Sequence, residues 1–200
     1  MTGRNIDRDE KDRDPAIVLG ISGASGAVYG VRTLERLRDA GIKTHLIMSK
    51  AARITLACET NYKIKDLEAI ADRSYRPDDV AAPISSGSFQ TMGMIVAPCS
   101  IRSLSEIASG VTSGLLSRAA DVTLKQKRRL VLLVRETPLH SGHLKSMLAV
   151  SDMGGVIMPP VPAMYSLPKT LDDLIEHTVG RALDLFGIDT KKVRRWNGPV

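Results

Sequence analysis

The sequence predicts an α/β protein built on a parallel sheet with helices on both faces. Apolar runs of strand length recur along the 200 residues and are continuously apolar, which is typical of strands buried on both sides. Segments with helical periodicity separate these runs. Strands that alternate with helices form βαβ units, whose strands are parallel. Ligands of such sheets bind beyond the carboxyl ends of the strands, so the loops there should build the site.

Five strands account for the apolar runs. The first is "AIVLGIS", and the most apolar is "RLVLLVRE". The last, "GGVIMPP", is short because two prolines end it. The predicted strands cover residues 16–22, 43–48, 92–98, 129–136 and 154–160.

Seven helices are predicted from apolar periodicity and from end signals. In the first, aliphatic and charged residues fall on separate faces, and Gly41 ends the helix. In the fourth, Ser100 is a good N-cap and Gly110 is a stop signal. Between them, residues 60–90 predict a short helix and then a loop that contains "SSGS". The helices cover residues 26–40, 50–59, 66–72, 100–110, 115–127, 141–150 and 171–187.

Composition limits the class of function. The chain is 43% hydrophobic and 25% charged, which is typical of a globular protein, and its length suits one domain. Aromatic residues make up only 4%, so a platform for stacking nucleic-acid bases is not expected. The formal charge of +6 favours anionic partners, and phosphorylated small molecules satisfy it as well as nucleic acid does. We therefore expect no nucleic-acid partner.

The polar N-terminus and the cysteines indicate the domain limits and the compartment. Residues 1–15 are nearly all polar or charged, which predicts a disordered extension ahead of one α/β domain at residues 16–200. No apolar run reaches the ~18 residues of a membrane span, and no secretory signal is present. Cys58 and Cys99 lie in apolar contexts without a CxxC pattern, so both are expected to be reduced core residues of a cytoplasmic protein.

A glycine-rich loop, "GISGASGA", follows the first strand and precedes the first helix. Free backbone N–H groups and the positive end of the helix dipole favour an anion there, which suggests a phosphate. The spacing is GxxGxxG instead of the dinucleotide pattern GxGxxG. The second strand ends in "MSK" without an acidic residue, so nicotinamide dinucleotide binding fits poorly. The alternative is a glycine-rich turn that serves only chain reversal.

Two serines, Ser49 and Ser100, each stand where a strand ends and a helix begins. N-capping is the commoner use of serines in this position. The second interpretation is that both serines, beside the glycine loop, hold one polar ligand in a shared crevice.

Four charged residues in the second half of the chain are candidates for binding or proton transfer. Arg118 and Lys125 are seven residues apart and therefore share one face of a helix. Arg135 ends a buried strand, where a binding group is expected, and Glu136 can act as a general acid or base. The alternative for Glu136 is an ion pair with Arg135 or a neighbour. The adjoining "KQKRR" cluster could in principle bind nucleic acid, but it lies at one helix end, and a solvated helix end is the favoured interpretation.

Three further motifs favour structural interpretations. The histidines of "LHSGH", together with Glu136, match no strong metal pattern, so no metal is expected. "TLDDLIE" resembles a magnesium–diphosphate motif, but Thr170 followed by Asp173 is a helix-capping arrangement. The proline-stiffened segment "PPVPAMYSLPK" either presents the phenol of Tyr165 or serves as a connector or subunit contact.

These pieces together resemble the UbiX family of flavin prenyltransferases, formerly named aromatic acid or polyprenyl-hydroxybenzoate decarboxylases. The resemblance runs in order from Ile17 to about Gly198. The matching stretches are "GISGASGAVYGVR", "MSKAA", "ISSGSF", "APCSIRSLS", "RAADVTLKQKRRLVLLVRETPLH", "MGGVIMPPVPAMY" and "RW". The family implies a three-layer Rossmann-like (flavodoxin-type) fold, assembled as a dodecamer, with flavin mononucleotide (FMN) bound near subunit junctions.

The resemblance also implies the site residues. Glu59 and Glu136 match the family's site carboxylates, and Ser25 serves the chemistry near the flavin ring, which the bare glycines allow to approach the loop. The residues that would hold FMN are Gly23, Ala24, Ser25, Ser49, Ser100, Ile101, Arg102, Ser103 and Arg135. The residues that would hold the phosphate of dimethylallyl phosphate are Arg118, Lys125, Tyr165 and Arg181.

The implied reaction joins a dimethylallyl group to reduced FMN at N5 and C6, which adds a fourth ring and releases phosphate. The cations of Arg118, Lys125 and Arg181 would stabilise the leaving phosphate without a metal. Glu136 and Ser25 would relay the proton that ring closure requires. The product, prenylated FMN, would pass to a UbiD-type decarboxylase as partner.

Two other functions stay open from the sequence. One is a flavin-dependent decarboxylase that acts on its own substrate. The other is a non-catalytic, flavin-carrying subunit of an aromatic acid decarboxylase complex. Tyr165 with Arg181 favours a phosphate donor over the first of these.

Overall fold

The computed structural model describes residues 15–198, and its six strands form one parallel sheet in the order β3-β2-β1-β4-β5-β6. The predicted fold class is confirmed. The strands are β1 (Ala16–Ile21), β2 (Lys43–Met48), β3 (Arg73–Tyr75), β4 (Gly93–Cys99), β5 (Arg129–Val134) and β6 (Val156–Ile157). The helices are α1 (Ala27–Asp39), α2 (Lys50–Glu59), α3 (Ile64–Ile70), α4 (Ile101–Ser109), α5 (Leu115–Lys125), α6 (Ser141–Asp152) and α7 (Leu171–Asp184).

Alternation along the strands divides the core between the two faces of the sheet. On β1, Ile17, Leu19 and Ile21 pack toward the layer that contains α1 and α7. Val18 of β1 and Met94 of β4 pack toward the layer of α4, α5 and α6. The central strands are buried on both faces, which explains why their sequences are continuously apolar, as predicted.

Several element boundaries differ from the prediction. The loop predicted after α3 contains β3, a three-residue edge strand that pairs with β2 and is mostly exposed, so it lacks an apolar run. β5 ends at Val134, which places Arg135 and Glu136 in the following loop. β6 has only two residues. Among residues 15–198, no helix combines the length and the apolar character that a membrane crossing requires.

The two cysteines differ in burial, and the prediction for Cys58 is wrong. Cys99 is buried in the core, and burial raises the pKa of its thiol to about 12. Cys58 is exposed, because it lies on the outer face of α2. The predicted extension lies outside the described residues except for Pro15.

Candidate active site

A crevice opens between the carboxyl ends of β1 and β4, where the strand order reverses. The helix after β1 covers one face of the sheet and the helix after β4 covers the other, so the two connections diverge. Ser22 ties the strand ends together at this point. Its hydroxyl donates to the Pro98 carbonyl oxygen at 2.9 Å and accepts from the Ser100 N–H at 2.7 Å. Sequence reasoning did not single out Ser22, although a serine directly after a buried strand was the available signal.

The glycines of the loop are required by the protein's own packing. A Cβ at Gly23 would lie 2.4 Å from the Cβ of Ala51, and one at Gly20 would lie 3.1 Å from the Met94 side chain. Gly26 has a φ of 95°, which favours glycine. At Gly20 and Gly23, protein side chains lie where a Cβ would extend, so packing is a sufficient reason for a bare Cα there, and the expected approach of the flavin to the loop stays a prediction.

The positive end of α1 is occupied by a carboxylate of the protein. Glu59, the last residue of α2, accepts hydrogen bonds from the N–H groups of Gly26 at 2.7 Å and Ala27 at 3.0 Å. Burial raises the pKa of Glu59, but hydrogen bonds from Ser25 and from these N–H groups, together with the charge of Arg135, outweigh burial and lower it. The anion at this helix terminus is therefore Glu59, where the sequence suggested a ligand phosphate.

The two predicted serines are both N-caps. The Ser49 hydroxyl accepts from the Ala52 N–H at 3.0 Å, and the Ser100 hydroxyl accepts from the Ser103 N–H at 3.3 Å. The capping interpretation is thus confirmed. It does not exclude the second interpretation, because both serines also face a common cavity.

This serine cavity has a volume of about 420 Å³ and lies where β1, β2 and β4 end. Its volume falls within the range of small-molecule sites. Ile101 follows Ser100 as the first residue of α4, and Ala24 is buried in the glycine loop. The predicted flavin residues that line the cavity are Gly23, Ser49, Ser100, Arg102 and Ser103.

A second cavity of about 430 Å³, the proline cavity, lies on the other side of the glycine loop. Ser25, Arg135 and Glu136 line it together with residues 159–162 and the start of α7. Glu136 accepts from the Thr137 N–H at 3.0 Å. Within residues 15–198, Glu136 forms no ion pair with Arg135, so this alternative is not what the structure shows. Arg135 instead lies close enough to lower the pKa of Glu59.

Arg118 and Lys125 lie on α5, and neither lines the serine cavity or the proline cavity. Arg118 donates to the Ser85 carbonyl oxygen at 3.2 Å and pairs with Asp121 at 2.8 Å. Lys125 is the last residue of α5 and precedes β5, so it lies toward the amino edge of the sheet. Within one chain, the structure does not bring these two cations to the glycine loop.

Tyr165 and Arg181 lie apart from both cavities and from the α5 cations. We call their surroundings, which also include His177 and Trp196, the phenol cluster. The Tyr165 hydroxyl lies 3.2 Å from Nε2 of His177, and its ring packs on Trp196 with centroids 5.9 Å apart. Burial lowers the pKa of His177, and the charge of Arg181 lowers it further. A hydrogen bond with the Arg194 backbone raises the pKa, but the net shift is downward. The phenol cluster lines neither cavity, so one chain divides the predicted site among four places: the two cavities, the two cations of α5 and the phenol cluster.

The remaining motifs have structural roles. Thr170 and Asp173 form the predicted capping box, with the Asp173 N–H donating to the Thr170 hydroxyl at 3.1 Å. His140 caps α6 by accepting from the Gly142 N–H at 3.0 Å. In the described part of the chain, no group of three or more His, Cys, Asp or Glu side chains could hold a metal.

Comparison with known proteins assigns the family. The Flavoprotein family model matches residues 5–182. The flavin prenyltransferase UbiX of Escherichia coli K12 is 56% identical over 185 residues, which cover 91% of this chain and 98% of that protein. The chain belongs to the UbiX-like flavin prenyltransferases. The resemblance seen in the sequence motifs is therefore confirmed.

Two solved structures extend this comparison. The crystal structure of AnUbiX (PadA1) in complex with FMN and dimethylallyl pyrophosphate matches with a TM-score of 0.92 and 49% identity. The match covers 94% of this chain and 100% of that one. A dodecameric, FMN-dependent UbiX-like decarboxylase from Escherichia coli O157:H7 matches with a TM-score of 0.90 and 50% identity, over 92% of this chain and 100% of that one. Both agree with the parallel three-layer fold.

Proposed function

We propose that the protein transfers the dimethylallyl group of dimethylallyl phosphate to N5 and C6 of reduced FMN, which yields prenylated FMN. The observation that carries this proposal is the pair of cavities on either side of the glycine loop. One is lined by serines and capped helix ends, and the other by Ser25, Arg135, Glu136 and apolar side chains. Such a pair suits a reaction between two substrates held in register. The UbiX relatives support the same assignment.

The serine cavity fits the phosphate-bearing end of FMN. The N-termini of α2 and α4 end there, and their dipoles favour an anion. The side chain of Arg102, which pairs with Glu106 at 3.0 Å, is 84% exposed beside the cavity and can reach a ligand. When bound, reduced FMN supplies the nucleophilic atoms N5 and C6.

The proline cavity holds the groups proposed for proton movement. Ser25 is hydrogen-bonded to Glu59, which keeps that carboxylate charged and fixes the hydroxyl. Glu136 is exposed and its carboxylate has no cationic partner among residues 15–198, so it is available to accept a proton. Arg135 adds positive charge beside Ser25. We assign Ser25, Glu59 and Glu136 to proton transfer on this basis.

We propose that the donor phosphate is bound by Arg118, Lys125, Tyr165 and Arg181 from more than one chain of a homo-oligomer, as in a dodecamer. One chain does not place these residues at its own cavities. Exposed apolar side chains provide surfaces for assembly, including Leu148 on α6 at 61% and Val161 at 72%. The dodecameric relative supports this arrangement.

We further propose that residues 16–200 act as a single flavin-binding domain in the cytoplasm and that the product passes to a UbiD-type decarboxylase. Prenylated FMN is useful only to an enzyme that carries out chemistry with it, so a recipient is required. The chain's own features that support a diffusible product are the two open cavities at the edge of the sheet.

Phosphate release tests the proposal. Purified protein is incubated without oxygen, with FMN and dimethylallyl phosphate, and inorganic phosphate is measured. We expect release only when the FMN is reduced, and we expect Arg181→Ala to raise the KM for the donor while FMN affinity stays unchanged. Arg38→Ala, an exposed arginine of α1, is the control. Release that does not depend on reduced FMN would contradict the proposal, and carbon dioxide release from a carboxylate would favour the decarboxylase.

A further inference from the structure

Four charged side chains join α1 to α7, and we name them the α1–α7 clamp: Arg32, Arg36, Asp172 and Glu176. Glu176 of α7 accepts from Nη2 of Arg36 at 2.6 Å and also from Nη1 of Arg32. Arg32 in turn donates from Nη2 to Asp172 at 2.7 Å. The side chains of Arg32 and Glu176 are only 15% and 14% exposed, so the centre of the clamp is largely shielded from water.

The side chains of the clamp are charged, and each stabilises the charged form of its partners. Burial raises the pKa of Glu176, but hydrogen bonds from Arg36 and Arg32 outweigh burial and lower it. Hydrogen bonds to Asp172 and Glu176 raise the pKa of Arg32, and hydrogen bonds to Glu176 and Asp39 raise the pKa of Arg36. Because the charges are partly buried, removing the Glu176 carboxylate takes away the one partner that Arg32 and Arg36 share, and leaves Arg32 with Glu35 and Asp172 and Arg36 with Asp39. Loss of Glu176 therefore weakens the contact between the two helices at this point.

The clamp lies between the proline cavity and the phenol cluster. On α7, Glu176 is flanked by Ile175, which lines the proline cavity, and by His177, which contacts Tyr165. On the other side of the cavity, Tyr29 of α1 forms the facing wall. No clamp residue lines either the serine cavity or the proline cavity, so the clamp acts on them only through its neighbours.

We propose that the α1–α7 clamp is a positioning device for the prenyl donor. By fixing α7 against α1, Glu176 sets the width of the proline cavity and the orientation of His177 toward Tyr165. The inference rests on the proposed function, because the donor is the ligand whose binding these two features govern. The serine cavity, which is proposed to hold the phosphate-bearing end of FMN, is built by residues of other segments, so the clamp should affect FMN affinity much less than donor affinity.

The test compares KM and kcat across three variants of the full-length protein. Glu176→Gln should raise the KM for dimethylallyl phosphate about tenfold, because small displacements of binding groups have large effects. FMN affinity should stay within about twofold. Asp172→Asn removes the charge of the more exposed carboxylate of the clamp, whose side chain is 61% exposed, and should give a smaller rise in the KM for the donor. Asp39→Asn removes a partner of Arg36 that lies within α1, and it is the matched control.

The outcomes separate the clamp from the proposed function. An unchanged donor KM in folded Glu176→Gln, or an equal loss of donor and FMN affinity, would overturn the positioning role. If Glu176→Gln does not fold, Asp172→Asn decides by the same comparison with Asp39→Asn. If the wild-type protein binds FMN but transfers no prenyl group, the proposed function fails, and the inference fails with it.

Discussion

Glu59 determines which helix termini at the carboxyl edge are open to a ligand. Its carboxylate accepts from the N–H groups of Gly26 and Ala27 and is hydrogen-bonded to Ser25. A helix N-terminus that already holds a carboxylate has little affinity for a second anion. The termini of α2 and α4, which are capped only by neutral serine hydroxyls, remain attractive to the phosphate of FMN. Glu59 therefore leaves the α2 and α4 termini, and not that of α1, open to an anion at this edge of the sheet.

Replacing Glu59 should destabilise the protein in a pH-dependent way. Glu59→Gln keeps the shape of the side chain but removes its charge at the α1 terminus. We therefore expect the free energy of unfolding to fall by about 1 kcal/mol at neutral pH. The folded-state pKa lies below the unfolded value of about 4.3, so the wild-type advantage is complete above that value and is lost as the pH falls through the folded pKa. Urea unfolding at neutral and acidic pH measures the difference.

The matched control for this prediction is Glu68→Gln, an exposed glutamate of α3. It should leave the unfolding midpoint unchanged at both pH values. A Glu59→Gln protein as stable as the wild type at neutral pH would show that the capping contacts contribute nothing. A stability gap that persists undiminished in acid would show that charge is not the cause.

At the scale of elements, the glycine loop packs directly on α2. The Cα of Gly23 faces Ala51 so closely that an added Cβ would lie 2.4 Å from the Ala51 Cβ. We expect Gly23→Ala to cost about 1–3 kcal/mol through overpacking and to weaken FMN binding, because the loop must move away from α2. Thermal unfolding and FMN titration measure the two effects.

A compensating substitution distinguishes packing from ligand contact. Ala51→Gly removes the methyl group that Gly23→Ala would strike, so the double variant should recover most of the lost stability and FMN affinity. If the double variant regains stability but not FMN affinity, the bare Cα of Gly23 serves the flavin directly. That result would support the prediction that the flavin approaches the loop at Gly23.

The sequence predicted the central elements because their signals are local. The apolar runs of β1, β4 and β5 and the caps at Ser49 and Ser100 are visible within a few residues. The edge strand β3 was missed because it pairs on one side only and buries little.

The site was less predictable because its contacts are long-range. Glu59 reaches Gly26 across 33 residues, and Ser22 reaches Ser100 across 78. The position of Ser22 directly after a buried strand is a local signal but does not reveal its partner, and Glu59 entered only through the family resemblance. The α1–α7 clamp spans 140 residues or more and was likewise not visible in the sequence.

At the scale of the whole molecule, the division of the predicted site among four separate places predicts that residues of neighbouring chains act together. Glu136 lines the proline cavity, whereas Arg181 lies beside the phenol cluster and outside both cavities. If neighbouring chains supply these two residues to one site, Glu136→Gln and Arg181→Ala chains should complement each other. At a donor concentration below the raised KM of Arg181→Ala, we expect higher activity after the two impaired proteins are dissociated, mixed and reassembled than for either alone, and a phosphate-release assay measures it.

The control for complementation is reassembly of each variant alone, which should leave its activity as low as before. Mixed oligomers that are no more active than either parent would place Glu136 and Arg181 of one site on the same chain, or would show that the two do not share a site. Hybrid formation is checked separately, by mass spectrometry of the intact oligomers, so that failure to mix is not mistaken for failure to complement.

Mass spectrometry of the flavin tests the central claim most directly. The purified protein is incubated without oxygen with reduced FMN and dimethylallyl phosphate, with and without magnesium, and the flavin is then released and weighed. We predict that FMN gains one five-carbon unit, and that it does so without magnesium. Unmodified FMN recovered from folded, flavin-loaded protein would contradict the claim and favour a decarboxylase or a flavin carrier.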